Sequence, residues 1–404
     1  MAHRSDAMRR DGASTSRSAD PVWEEVQHEV FRYDAQGQRV GIRWRQSLKV
    51  VQQLSKAKLA ALILTTTFFG YVVALPPSST MTAKISSTPP RDPPHDADDA
   101  QKDPHHDHLS HSGSPKHNHD HKASGLPAAE HPAPPVRRWY TLPGLMVGTA
   151  LCVTAANTFN QWIEIPLDAQ MARTMARPLV RGAISPFAAF TFGSVSALLG
   201  TTLLASSTNA VTTSLGLTNI LLYAASYTPM KRTSVFNTWV GSLVGAIPPI
   251  MGWTAATDGQ VEPGALLLGA LLFAWQFPHF NALSWNLKAD YAKAGYRMLS
   301  VADAALCTRV ALRYTIALFP ISYLFYHFDV TGPDFLATST LLNGALLHGA
   351  IAFHRQPTAK SSRKLFMRTL AHLPAYLILL GVHRVYHEHR SAHCRQTRPT
   401  QRKM

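Results

Sequence analysis

Cysteine is scarce in this chain, with three residues among 404. Cys152, Cys307 and Cys394 lie far apart and form no C-x-x-C pair, so neither a disulfide framework nor a thiolate metal site is expected. Acidic residues are also few, 24 against 39 lysines and arginines, which gives a formal net charge of +15. No zinc-finger or RNP-like pattern accompanies this charge, and no basic helix carries interleaved aromatics. Nucleic acid is therefore not expected as a partner.

Charged residues are sparse in nine long apolar runs. The runs cover 59–75, 142–165, 184–205, 208–228, 234–253, 263–283, 304–326, 335–353 and 365–383. Each is near the ~20 residues that a helix needs to cross the hydrocarbon core. Helices are the form in which runs of this length satisfy their backbone groups in lipid. The predicted fold class is all-α: a polytopic membrane protein with about nine transmembrane helices and the bilayer as its surroundings.

Lysine and arginine recur in every second connection between these runs, namely 173–181, 231–232, 288–297 and 355–364. The short loops near Ser207, Asp258 and Asp329 contain neither. This alternation agrees with the positive-inside rule and supports the predicted spans. The basic tail after His383 disagrees, because an odd number of spans places it on the opposite side.

Two segments differ in composition from the apolar runs. The first twenty or so residues carry arginines among Ser, Thr and Ala, which is typical of a mitochondrial transit peptide, although three aspartates also fit a disordered tail. Residues 76–138 are rich in Pro, Ser, Asp and His and are predicted to be a disordered insert. Its histidines could bind zinc or copper loosely, or belong to a solvated linker. The predicted organisation is 1–58 N-terminal region, 59–75 first helix, 76–138 insert, 139–385 remaining bundle and 386–404 basic tail.

The second apolar run ends in an unusual polar stripe. Asn157, Asn160, Glu164 and Asp168 recur every three or four residues, so on a helix they share one face. Pro166 would kink or end that helix. Carboxylate and amide oxygens suit a hard divalent cation such as Mg²⁺, and polar groups beside hydrocarbon indicate a functional site. The alternative is that these charges snorkel or pair within the helix.

Basic residues that could bind phosphate lie in three loops on one side of the membrane, namely Arg173, Arg177, Lys231, Arg232 and Lys288. Guanidinium groups pair well with phosphate oxygens. Asp290 could supply a second carboxylate centre opposite the first. An apolar bundle interior would take a hydrocarbon tail, so the expected ligand is an allylic prenyl diphosphate. Charge drawn onto its diphosphate weakens the C–O bond.

A further aromatic segment, Trp275-Gln276-Phe277-Pro278-His279-Phe280, lies near a membrane boundary. His279 there is either a packing residue, which is the commoner case, or a ligand.

Together these blocks resemble the UbiA superfamily of intramembrane prenyltransferases, and within it the branch that acts on haem. The likeness covers 47–58 and about 139–385. It rests on 173–182, 227–232 (Tyr-Thr-Pro-Met-Lys-Arg), 237–241, 245–249 and 275–280. The resemblance implies a nine-helix bundle with a cavity that opens sideways to lipid, in the mitochondrial inner membrane.

The resemblance also implies the reaction and its residues. The farnesyl group of farnesyl diphosphate and a water would add across a vinyl of haem b, which gives haem O for conversion by a haem A synthase. Mg²⁺ would be the cofactor. The expected catalytic residues are Asn157, Asn160, Glu164, Asp168 and Asp290. The last four of these would be the metal ligands. The diphosphate would be bound by Arg173, Arg177, Lys231, Arg232 and Lys288. The acceptor would be faced by His279 and Trp275.

Two departures and two alternatives remain open. The first motif has Glu164 where many relatives have Asp, and the second offers only Asp290, with Ala294 and Gly295 where other branches carry another acid. Occupancy of a second metal site is therefore open. One alternative function is prenyl transfer to a quinone or phenolic ring. The other, a metal-ion transporter, is disfavoured because the charged groups lie on one side and no internal repeat is found.

Overall fold

The computed structural model describes residues 44–75 and 139–396, and within these ranges the regular structure is entirely helical. The predicted transit peptide, the His-rich insert and the last residues of the tail lie outside the described residues. The helices are α1 Trp44–Leu54, α2 Ala57–Ala74, α3 Thr141–Ile163, α4 Ile165–Asp168, α5 Pro186–Ser207, α6 Ala210–Leu221, a π-helix Leu222–Tyr227, α7 Thr228–Thr233, α8 Asn237–Ala256, α9 Pro263–Asn286, α10 Lys288–Lys293, α11 Leu299–Ala302, α12 Ala304–His327, α13 Pro333–Arg355 and α14 Ala359–Gln396.

These helices confirm the predicted all-α membrane fold. Seven helices of the described part are long and apolar enough to cross a membrane: α2, α3, α5, α9, α12, α13 and α14. The other two predicted runs correspond to α6 with its π-helix, and to α8, which contains two prolines. The last helix, α14, continues unbroken through the predicted start of the tail.

Local sequence explains where several helices begin. The side chains of Ser185, Asn209 and Asp303 each accept a hydrogen bond from the backbone N–H three residues later, which caps α5, α6 and α12. Pro263 and Pro333 begin α9 and α13, where the missing N–H has no helical partner to lose. These signals separate apolar runs that lie close together in sequence.

The apolar interior forms two main clusters. One joins α9, α12, α13 and α14 around side chains such as Phe325 and Phe353. The other joins α2, α3, α5, α6 and α8 around Leu204 and Met251. Because α8 packs against both α2 and α9, it connects the two halves of the bundle.

The contact between α2 and α8 depends on two glycines. A Cβ on Gly70 would overlap the carbonyl oxygen of Pro249, and a Cβ on Gly252 would overlap that of Thr67. Small residues allow helix backbones to approach this closely in membranes. The close approach fixes α2 against the bundle, and with it the position of Lys56 immediately before α2.

The predicted break at Pro166 is confirmed. α3 ends at Ile163, and Glu164 leaves the helix with φ −92° and ψ 6°. Pro166 then lies in the first turn of the short helix α4. The chain therefore turns at the end of α3 and presents Glu164 and Asp168, both buried, to the same space.

Candidate active site

Buried polar side chains from four segments meet at the end of α3. Lys231 Nζ lies 2.7 Å from Glu164 Oε1. Arg177 contacts Asp168 and lies 3.8 Å from Glu164 Oε2. Lys56 donates a hydrogen bond of 2.7 Å to Asn160 Oδ1. We call this set the polar cluster: Lys56, Asn160, Glu164, Asp168, Arg177 and Lys231.

The π-helix orients the amide of Asn160. Its wider turn directs the backbone N–H of Thr228 to the carbonyl of Tyr223. The Thr228 hydroxyl donates to the same carbonyl at 2.8 Å and accepts a hydrogen bond of 3.1 Å from Asn160 Nδ2. Asn160 Oδ1 is thereby directed to Lys56, whose Nζ also lies 3.4 Å from the Tyr223 hydroxyl.

Two loops hold the cluster from the membrane-boundary side. The Thr174 hydroxyl donates to the backbone carbonyl of Asp168 at 2.9 Å, and the backbone N–H of Arg297 donates to the carbonyl of Lys231 at 2.7 Å. A small apolar cluster joins the first loop to the loop around α10, through Met171 and its neighbours. The segments that carry the two predicted acidic motifs therefore pack together.

Burial and neighbouring charge act in opposite directions on the carboxylates. Burial raises the pKa of Glu164, but Lys231, Lys56 and Arg177 outweigh it and hold that pKa below its usual value. Burial raises the pKa of Asp168 above its usual value, and the attraction of Arg177 offsets this only in part. The two carboxylates therefore respond in opposite directions to the same buried surroundings.

The cluster holds more basic side chains than carboxylates. Three basic side chains face two acids, and Glu164 and Asp168 are only 3% and 1% exposed. Burial lowers the pKa of Lys56, and Arg177 and Lys231 lower it further. An incoming anion would relieve this repulsion, so the site is suited to a ligand with several negative charges.

Asn157 is a predicted site residue, but its side chain binds a backbone carbonyl and not a charged side chain. Its Nδ2 donates to the carbonyl of Ser55 at 3.0 Å. Gln161, one turn further, donates to the carbonyls of Gln53 and Leu54. Together they fix the junction between α1 and α2, where Lys56 adopts a left-handed conformation with φ 49°.

Other predicted residues lie around the cluster. Arg173, Arg232 and Lys288 are exposed on the surrounding loops. Asp290 is half-buried in α10, and among the described residues no hydrogen bond or ion pair joins it to the cluster. The structure therefore brings the two acidic motifs to neighbouring loops without direct contact between their carboxylates.

His279 and Trp275 lie in the other half of the bundle. Their rings stack with centroids 4.7 Å apart, and His279 Nδ1 lies 2.9 Å from Thr369 Oγ1 of α14. Phe366 packs on the other side, at 4.9 Å between ring centroids. Within the part of the chain that the structure describes, no hydrogen bond or ring contact links this pair to the polar cluster.

Sequence reasoning missed the role of Lys56 and the tyrosines beside the cluster. In the sequence, Lys56 is one of several basic residues that flank the first predicted span. Lys231 Nζ lies 4.5 Å from the ring centroid of Tyr227 and 5.9 Å from that of Tyr296. The tyrosines belong to segments already identified, but their spacing gives no sign that they surround a lysine.

A narrow apolar cleft with a cavity volume of about 50 Å³ begins beside the cluster. Asn157 and Tyr223 line its polar end, and the remaining lining comes mainly from apolar side chains of α2, α3, α6 and α8. The arrangement therefore combines an anion-binding end with a narrow apolar space inside the bundle.

This combination agrees with the family to which the sequence is similar. Residues 125–395 match the sequence profile of the UbiA prenyltransferase family, which is more than half of the chain. The chain belongs to the UbiA prenyltransferase family.

Two mitochondrial relatives of the chain share one name. The chain is 49% identical to the mitochondrial protoheme IX farnesyltransferase of Homo sapiens over 234 residues, 58% of this chain and 53% of the human protein. It is 41% identical to the protein of that name in Saccharomyces cerevisiae over 261 residues, 59% of this chain and 56% of the yeast protein. The chain thus spans about half the length of the curated relatives that it matches.

Solved structures show the same UbiA fold. A digeranylgeranylglyceryl phosphate synthase aligns with a TM-score of 0.60 at 13% identity, over 84% of this chain and 99% of that one. A UbiA homologue from Aeropyrum pernix K1 aligns with a TM-score of 0.50 at 16% identity, over 62% of this chain and 90% of that one. At these identities the likeness concerns the fold.

The donor set of the cluster fits a magnesium ion. Asp168 Oδ1 is buried without a hydrogen-bond partner in the described structure, which leaves one carboxylate oxygen free. Glu164 and Asp168 both lie within reach of the same guanidinium nitrogen, and Asn160 adds an amide oxygen nearby. Mg²⁺ commonly takes few protein carboxylates and completes its shell with water and substrate phosphate, so this sparse set is adequate.

Proposed function

We propose that this protein is a protohaem IX farnesyltransferase of the mitochondrial inner membrane. It transfers the farnesyl group of farnesyl diphosphate, together with a water, to a vinyl group of haem b. The products are haem O and diphosphate. The observation that carries the proposal is the polar cluster, with three basic side chains and two carboxylates, beside an apolar cleft. The names of the relatives and their 40–49% identity support the choice of acceptor and compartment.

The polar cluster binds the diphosphate in this proposal. Arg177 and Lys231 are placed beside the carboxylates, and Lys56 approaches from the α1–α2 junction. Oriented cations that stabilise the charge of a leaving group lower the barrier for its departure. The exposed Arg173, Arg232 and Lys288 surround the entrance and would contact the outer phosphate oxygens.

Asn160, Glu164 and Asp168 would hold magnesium, with Asp290 as a carboxylate for a second ion. When bound, Mg²⁺ supplies positive charge to the bridging and terminal oxygens of the departing diphosphate. Lys231 and Arg177 would orient the carboxylates of Glu164 and Asp168. Asn157 and Gln161 keep Lys56 in position by holding the backbone before α2.

The proposed reaction is the transfer of an alkyl group from diphosphate to haem b. The C–O bond to diphosphate breaks, and the vinyl π electrons of haem b form the new C–C bond to the farnesyl carbon. Water then adds to the resulting carbocation and loses a proton. His279 and Trp275 are proposed on the acceptor side because their stacked rings form an aromatic face in the other half of the bundle. A haem A synthase would receive the product, since haem O must be oxidised further.

The test is product formation by purified protein in lipid nanodiscs supplied with haem b, farnesyl diphosphate and Mg²⁺. Asp168→Ala and Arg173→Ala should each lower haem O formation, by about 10²-fold for Asp168→Ala. Asp334→Asn is the matched control, because Asp334 is an exposed acid at the start of α13.

Mass spectrometry with haem b and a quinone precursor in competition reports the acceptor directly. Prenylation of the phenolic ring in preference to haem would overturn the proposed acceptor. Full turnover after complete chelation of divalent cations, or full activity in both site variants, would overturn the proposed site.

A further inference from the structure

The apolar cleft has a definite depth. On α3 its lining extends from Asn157, beside the polar cluster, to Thr149. Eight residues of α-helix correspond to about 12 Å. The next inward residue of α3, one turn deeper, is Leu145, which is fully buried in the core with Leu204. The cleft therefore ends at packed side chains inside the bundle.

Gly216 of α6 lies at this closed end. A Cβ at this position would approach Leu204 Cδ1 to 2.8 Å, Met251 Cε to 3.3 Å and Cys152 Sγ to 3.8 Å. Met251 and Cys152 also line the cleft. The atoms that a Cβ would meet first are the ends of flexible side chains, so they can move aside. A larger side chain at 216 would thus fill the closed end without displacing backbone.

We propose that Gly216, Met251 and Cys152 set the length of the isoprenoid chain that the enzyme accepts. This inference rests on the proposed function, because it takes the cleft as the site of the prenyl tail. A tail that is too long must displace the packed core around Leu204, whereas a shorter tail leaves apolar surface unfilled. Each CH₂ that is buried stabilises the complex, so the five carbons of one isoprene unit are enough for strong discrimination between donors.

The experiment compares geranyl, farnesyl and geranylgeranyl diphosphates as donors to haem b, with kcat/KM measured for each in nanodiscs. Gly216→Ala and Gly216→Val should shift the geranyl-to-farnesyl ratio towards geranyl, by about tenfold or more for the valine variant. Met251→Ala and Cys152→Ala enlarge the cleft. Each should shift the geranylgeranyl-to-farnesyl ratio of kcat/KM towards geranylgeranyl. The opposite directions separate a length effect from a general loss of stability.

Gly344→Ala is the matched control, because Gly344 is a helical glycine of α13 with open space around its Cβ position. It should keep the wild-type ratio. Unchanged ratios in the Met251 and Cys152 variants, with farnesylated haem still formed, would overturn the inference and leave the proposed function intact. If wild type forms no prenylated haem from any of the three donors, the proposed function itself fails.

Discussion

Lys56 donates a hydrogen bond of 2.7 Å to Asn160 Oδ1 across 104 residues of sequence. The contact joins the start of the first span to the end of the second. It places a half-buried lysine beside Asn160, whose amide belongs to the first acidic motif. The polar cluster is thus completed by a residue from outside the loops that carry the other charged groups.

Replacing Lys56 with methionine should reduce kcat/KM for farnesyl diphosphate by roughly 10²-fold, because one of the three basic side chains of the cluster is lost. Lys56→Arg should restore part of the activity. Lys58→Met is the control, since Lys58 is exposed and only two residues away. Equal losses in the Lys56 and Lys58 variants would contradict a role for this contact in diphosphate binding.

Replacing Glu164 with glutamine should lower stability at neutral pH by about 3 kcal/mol, because Lys231 and Arg177 lose their buried counter-charge. The pKa of Glu164 is lowered in the folded state, so its ionised form stabilises the fold above the ordinary pKa of 4.5, and this contribution is lost as pH falls. The difference between wild type and Glu164→Gln should therefore shrink below pH 4.5. Thermal unfolding in detergent across the pH range measures it. A difference that stays constant with pH would show that the charge of Glu164 is not responsible.

Asn343→Ala should destabilise the C-terminal half of the bundle by about 1–3 kcal/mol. Asn343 Oδ1 lies 3.0 Å from His372 Nε2, and its Nδ2 donates to Ser322 Oγ at 3.0 Å, all within the core. The variant leaves His372 Nε2 without this partner, whereas Ser322 Oγ keeps its contacts with the Leu318 carbonyl and the Tyr376 hydroxyl. Gly344→Ala, the neighbouring control, should not lower the unfolding temperature. A similar loss in both variants would indicate disturbance of α13 as a whole.

Deleting residues 90–131 should leave haem O formation largely unchanged, because the polar cluster and the cleft are built from other parts of the chain. The segment lies outside the described residues and contains the clustered histidines. A metal-ion transporter with a histidine-rich collecting arm would instead lose transport. Uptake of zinc or copper by proteoliposomes that disappears on deletion, without any haem product in the intact protein, would favour that alternative.

The sequence predicts most spans within a few residues, for example 142–165 against Thr141–Ile163, whereas the last predicted run, 365–383, lies inside the much longer helix Ala359–Gln396. Apolar runs of this length in lipid have one stable backbone form, so composition alone decides the structure. It also predicts the grouping of Glu164, Asp168 and Arg177, because these are close in the chain and follow a helix break at Pro166. Local patterns were sufficient for this part of the site.

Lys56 could not be assigned in the same way. Its contact with Asn160 depends on how closely α2 approaches α8, and this distance is set by Gly70 and Gly252. Because basic residues flank most spans, the presence of a lysine does not indicate which of them enters the polar cluster. Contacts between distant segments depend on packing, which a single sequence does not specify.

The π-helix Leu222–Tyr227 holds one residue more in its turn than an α-helix would. Deleting a single residue there would restore regular α-helical geometry and rotate all that follows by about 100° about the helix axis. Thr228 would then leave Asn160, and Lys231 would leave Glu164, although every charged side chain of the cluster would still be present. The length of this turn is therefore as essential to the site as the identity of its residues.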